Sequence, residues 1–179
     1  MNENDEKTAL ERQAAELLTL ATEYFRTLEN IGNIDKNDFL SLIHKLCSLL
    51  YTKGLLFPET DEPDNAGNER FVTEEEWENI FNSIRAKLAD QDSFSYIENI
   101  DHPEDIVTGS LAEILTDVYQ DMKDFAFLLT KPTQLAFDNA VFEIKRLFYS
   151  HWGFRILLAL QVLHSRRYPE VAENKEFDW

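Results

Sequence analysis

Between Ser110 and Leu129, Leu111, Leu115, Val118, Met122, Phe125 and Leu129 recur alternately four and three positions apart. An α-helix, with 3.6 residues per turn, gathers such residues on one narrow face, whereas a strand divides them between two. Ser110-x-x-Glu113 opens the run as a capping box, in which the serine oxygen accepts the N–H three residues on. This spacing commits the segment to helix and demands partner helices for its apolar seam.

Similar spacing recurs along most of the chain. A first helix is expected from Glu6 to Glu29, with Leu10, Ala14, Leu17, Ala21, Tyr24 and Leu28 inward. Asp35 caps a second running to about Tyr51, with Phe39, Ile43, Leu46 and Leu50 inward, and Gly54 and Pro58 close it. Residues 58–72 read as a polar loop. Thr73-Glu-Glu-Glu76 is a second capping box, opening a helix that buries Trp77, Ile80, Phe81, Ile84 and Leu88. The stretch 90–109 is less regular, and Phe94, Tyr96, Ile97 and Ile100 predict a short helix there. After Lys131-Pro132, a helical region spans Thr133–Arg167, with a kink or division expected at Gly153. The expected architecture is all-α: a single-domain antiparallel bundle of about six helices over residues 1–167, followed by a polar tail over 168–179 carrying Phe177 and Trp179.

The charge balance narrows the partners. With 34 acidic against 17 basic residues the net charge is −17, which repels phosphate backbones and anionic membranes. No nucleic acid and no membrane are therefore expected as partners, and a protein partner, unidentified, is left; oligomeric state stays open. Cys47 is the sole cysteine, set in Leu46-Cys-Ser-Leu-Leu50, and reads as a small core residue. The first residues lack a basic and then apolar leader pattern, and no apolar run approaches the ~20 residues of a membrane span. A cytoplasmic location is expected.

Two groups of residues could carry chemistry. Glu113, Asp117 and Asp121 form an acid row at i,i+4 spacing, and like charges so placed call for nearby cations. His151 and Arg155 are also i,i+4 neighbours, set among Phe148, Trp152, Phe154 and Ile156. If Lys131-Pro132 joins antiparallel helices of equal rise, Asp117 faces Arg146 and Glu113 lies by His151. The expectation is an ion-pair network, Asp117–Arg146 with Glu113–His151, and Arg155 beyond it near 102–105. One reading of the His–Arg pair is an anion or carboxylate pocket walled by Trp152. The other is a buried His and Arg neutralised by the acid row, fixing the register of the helices.

Metal chemistry finds little footing. Carboxylate-bridged helical bundles use Glu-x-x-His pairs, and the sequence contains none; its four histidines are scattered. Glu75-x-x-Glu78 followed by Glu98-x-x-Asp101 resembles the acidic signature of all-helical nucleotide pyrophosphohydrolases, which hold magnesium between two helices, but Pro103 follows where that family sustains a helix. No nucleophile elbow or phosphate-cradling glycine loop occurs. No metal site, catalytic residue or cofactor is assigned.

Ser110-Leu-Ala-Glu…Asp117-Val-Tyr-Gln-Asp-Met-Lys123, His151-Trp-Gly153 and Ala159-Leu…Leu-His164 resemble an uncharacterised bacterial helical family, domain of unknown function 5063. Leu49-Leu-Tyr…Leu55-Leu-Phe-Pro58 resembles its N-terminal half, so the likeness spans most of the chain. Phe154-Arg155 stands where the resemblance implies a second histidine after His-Trp-Gly. The family implies a fold but no activity. The function expected is a non-enzymatic interaction or accessory module, with candidate ligand or partner residues Glu113, Asp117, Asp121, Arg146, His151, Trp152 and Arg155. The alternative is a magnesium-type phosphohydrolase or small-anion-binding protein that uses the bundle's carboxylates.

Overall fold

A computed structural model describes residues 3–64, 70–99 and 101–169. The Ser110 run forms the central helix. Numbered in chain order, the helices are α1 (Glu3–Glu29), α2 (Lys36–Leu56), α3 (Glu74–Leu88), α4 (Leu111–Thr130), α5 (Gln134–Leu147) and α6 (Gly153–Arg167). Helix α4 packs on α1, α3, α5 and α6, while α2 packs on α1 and α6. Leu111, Leu115, Val118, Met122 and Phe125 are all buried, as the spacing requires. Each such side chain contributes about 1.5–3 kcal/mol when removed from water. The inward face expected of α1 is buried from Ala14 to Leu28, with Leu10 packed against the core from its edge.

The predicted caps are in place. Asp35 accepts the Asn37 N–H at 2.8 Å, Thr73 that of Glu76 at 3.2 Å and Ser110 that of Glu113 at 3.1 Å. At α4 a further residue completes the terminus. Buried Asp92 accepts from the Ser110 hydroxyl and from the Ala112 N–H at 2.7 Å, so a carboxylate sits at the positive end of the helix.

Two expectations need correction, and a third gains its physical reason. First, α2 continues past Gly54 to Leu56. The glycine sits inside the helix because the rings of Phe148 and Trp152 fill the space a Cβ would take, each with a carbon 2.5 Å from that position. Second, the short helix expected around Phe94 is a hairpin of two antiparallel strands, β1 (Ser93–Ile97) and β2 (Ile106–Ser110), pairing Tyr96 with Val107 and Ile97 with Ile106. Phe94 and Tyr96 alternate with exposed Ser93 and Ser95, a period of two rather than 3.6. Ile100, which belonged to that expectation, lies outside the described residues, as do Phe177 and Trp179 of the expected tail. Third, the region after Lys131 divides as anticipated near Gly153, and what divides it is a π turn over Phe148–Trp152.

Helices α2 and α6 also meet at a pair of histidines. Arg167 Nη1 donates to His44 Nδ1 at 3.2 Å, and the His164 ring stands edge-on to His44 at 5.9 Å. Burial, then the charge of Arg167 and the neighbouring His164, hold the His44 pKa below its ordinary 6.5. A depressed histidine favours the neutral form in the fold, so its contribution is complete above about 6.5 and is lost as pH falls through the lower folded value. The melting temperature is expected to decline from pH 7 toward pH 5, and His44→Gln to flatten that decline. A parallel decline in both proteins, recorded by circular dichroism, would count against this assignment.

Candidate functional site

The acid row of α4 lies between α3, with the segment that precedes it, and α6. Asp121, 1% exposed, spans both sides: Oδ1 accepts from Arg70 Nη1 at 3.0 Å and Oδ2 lies 2.5 Å from His151 Nδ1. Asp117 repeats the arrangement one turn earlier, accepting from Trp77 Nε1 at 3.2 Å and from Arg155 Nε at 2.7 Å. Asp124 completes the set. Its Oδ1 accepts the N–H groups of Phe71 and Val72 at 2.8 and 3.1 Å, and its Oδ2 takes a second bond from Arg70 at 3.3 Å. Burial pushes the Asp124 carboxyl above its usual range against the pull of those donors. Asp121 and Asp117 thus tie the segment 70–77 to the π turn and the start of α6, and Asp124 anchors the beginning of that segment on α4.

The chain brings together Asp117, Asp121, His151 and Arg155, but in other pairings than the hairpin arithmetic gives. Arg146 turns to Glu143 on its own helix, at 2.6 and 2.7 Å, and Glu113 is exposed and outside the cluster. Equal rise along parallel axes is the assumption that fails. Asp121 lies nine residues before the end of α4, and its partner His151 lies seventeen after the start of α5. Helices in globular proteins commonly cross at an angle rather than in parallel, and here a π turn also intervenes between α5 and α6, so equal-rise counting does not carry across to His151. Trp152 is also reassigned. It is 1% exposed, packs on Phe148 and donates Nε1 to Ile144 O at 2.9 Å, so it is core and walls no pocket.

Sequence reasoning passed over Arg70, Trp77 and Asp124. Arg70 had a signal, being the one basic residue between Lys53 and Arg85. A second polar cluster went unnoticed on the other flank of α4. There Lys123 bonds Glu29 at 2.6 Å, Glu76 and the Tyr119 hydroxyl, and lies over the Phe25 and Tyr119 rings. Although burial pushes the Glu76 carboxyl up, the Lys123 ammonium and the Tyr119 hydroxyl hold it below its usual value. Cys47 is fully buried and its thiol is pushed up to about 12 by that burial, which leaves it an inert core residue.

The acidic spacings that resemble the pyrophosphohydrolase signature do not assemble it. Glu75 and Glu78 lie on α3, whereas Glu98 and Asp101 lie in the turn between the two strands, so the second pair is not carried on a helix. Among the described residues no three His, Cys, Asp or Glu side chains converge as a metal ion would require. No helix among them is long and apolar enough to cross a membrane.

The fold and the seam define a mostly helical domain organised around one charge-compensated helix. The chain belongs to the family described as a domain of unknown function, DUF5063, whose model matches residues 8–169. It is similar in structure to the protein BF1032 from Bacteroides fragilis, with 26% sequence identity, a TM-score of 0.77, and coverage of 87% of this chain and 92% of that one. No curated protein matches it. Membership of this family brings no assigned activity.

Proposed function

We propose that this protein is a non-enzymatic binding module that docks an anionic group of a protein partner on Arg70, His151 and Arg155. The carrying observation is how these three side chains are held. Each has one nitrogen fixed by a carboxylate of α4, yet keeps part of its side chain in solvent: 38% for Arg70, 27% for His151 and 32% for Arg155. Among the described residues the hydrogen bonds of His151 and Arg155 to α4 use Nδ1 and Nε, which leaves the solvent-facing Nε2 and Nη atoms within reach of an acceptor from outside. Guanidinium groups fixed in this way suit carboxylate or phosphate oxygens. Phe154, 49% exposed, and Leu157, 44% exposed, add apolar surface on the helix that bears Arg155.

Binding is favoured over catalysis by the space available. The cavity beside Asp121 and Asp124 holds about 10 Å³, room for one water, whereas small-molecule sites run to roughly 300–1,000 Å³. The net charge of −17 supports a protein partner over nucleic acid. The lone, reduced-type Cys47 supports a cytoplasmic setting.

A glutamate-rich peptide and inorganic phosphate are suitable probes in calorimetry and thermal-shift measurements. Binding is expected to raise the melting temperature, and Arg155→Ala to weaken it about 10- to 100-fold, the equivalent of one charge-assisted hydrogen bond. Stabilisation by a divalent metal or nucleotide that survives Arg155→Ala, with turnover of the nucleotide, would instead select the phosphohydrolase reading.

A further inference from the structure

A second concavity lies where the start of α5 meets the N-terminal half of α1 and the segment leaving α2. It comprises two adjoining hollows of about 750 and 550 Å³, which share Leu10, Thr60 and Asp138. Its lining includes apolar Leu10, Leu56, Pro58 and Phe137, of which Leu56 is 68% exposed. Its rim is acidic. Glu59, Asp61, Glu62, Asp64 and Asp138 line it. Among the described residues lining it Lys7 is the one basic side chain, its ammonium bonded to Gln134 Oε1 at 3.2 Å, and Arg146 acts on Glu62 from outside the lining. Glu59 and Asp138 each accept one neutral donor, Tyr149 Oη and Gln134 Nε2, which leaves their charge uncompensated. Thr60 Oγ1 is buried in the shared wall without a hydrogen-bond partner.

We infer that this groove docks a basic amphipathic helix presented by a protein partner. The chemistry selects that occupant. Exposed Leu56 beside half-buried Leu10, Pro58 and Phe137 calls for apolar side chains, and such a stripe on a helix arrives as i, i+3, i+4 and i+7 anchors. The carboxylates on the rim match lysine or arginine flanking that stripe, and they reject an acidic segment by like-charge repulsion. A volume of this size exceeds what single ions or waters use and falls in the range of sites that hold several side chains. This surface is built from other residues than Arg70, His151 and Arg155, so the two can succeed or fail separately. Together they would let one small bundle engage two partners, or two segments of one partner, of opposite charge.

The test uses fluorescence anisotropy with the full chain and three labelled peptides. One carries leucine and lysine at three-four spacing, one replaces every leucine by serine at equal charge, and one replaces every lysine by glutamate. The leucine–lysine peptide is expected to bind, and to bind more weakly as salt rises. The other two are expected to bind at least tenfold more weakly. Leu56→Ser and Asp138→Lys, both at the surface and checked for an unchanged melting temperature, are each expected to cost at least tenfold, whereas Arg155→Ala leaves this binding unchanged. Equal binding of the serine–lysine peptide would reduce the effect to bulk charge and overturn the inference. So would retained affinity in Leu56→Ser and Asp138→Lys, or no binding of the leucine–lysine peptide at all.

Discussion

Asp121→Ala is expected to lower the unfolding free energy by about 3 kcal/mol, read by urea denaturation, and the melting temperature by roughly 6–10 °C. The carboxylate is 1% exposed and holds Arg70 and His151 on its two oxygens. Removing it leaves the Arg70 guanidinium and the His151 ring without the acceptor they share. Breaking a fully buried pair costs about 3–5 kcal/mol, and the lower end applies because both partners keep part of their surface in water and can rehydrate. Asp121→Asn keeps an acceptor for Arg70 and should cost less than alanine. Asp117→Ala should cost less again, about 1–2 kcal/mol, because that side chain is 17% exposed and the groups it leaves can be reached by water. In a cycle with His151→Gln, the loss of the double variant Asp121→Asn/His151→Gln should be smaller than the sum of the two single losses. Strict additivity, or an Asp121→Ala loss below that of Asp117→Ala, would show that the row is an ordinary solvated face.

Gly153→Ala should cost about 3 kcal/mol, although alanine is favoured over glycine in a helix by roughly 1 kcal/mol. A Cβ at Gly153 runs into the backbone carbonyl oxygen of Phe148, brought close by the π turn, and backbone cannot step aside as a side chain can. Gly54→Ala meets only side chains, the rings of Phe148 and Trp152 at 2.5 Å, and should cost about 2 kcal/mol. The two differ in how they can be rescued. Phe148→Leu removes ring atoms from both sites, so it should recover a good part of the Gly54→Ala loss. It should recover little at Gly153, where the obstructing carbonyl stays. Equal recovery at both positions, measured by denaturant unfolding, would mean that the π turn is not what fixes Gly153.

The residues that build the bundle announce themselves locally. Ser110, Thr73 and Asp35 cap their helices where the sequence places them, and Leu111, Leu115, Val118, Met122 and Phe125 are buried on the face their spacing defines. A cap needs only a side chain and an amide two or three residues on, and a helical face needs only the 3.6-residue period. The hairpin was less legible. Phe94, Tyr96 and Ile97 support either a short helix or a strand when taken alone, and the choice falls to Ile106–Ser110, whose pairing partners lie across a turn.

The candidate site divides along the same line. By itself the sequence determined which residues are charged, that Asp117 and Asp121 share a face of α4, and that His151 and Arg155 lie one turn apart. The tertiary structure alone decided that Asp121 holds His151 and Arg70, that Asp117 holds Arg155 and Trp77, and that Trp152 belongs to the core. The period of one helix is fixed by its own backbone hydrogen bonds. Which residue of a second helix stands opposite depends on the crossing angle, the π turn and a loop residue as remote as Arg70, and these follow from packing of the whole chain.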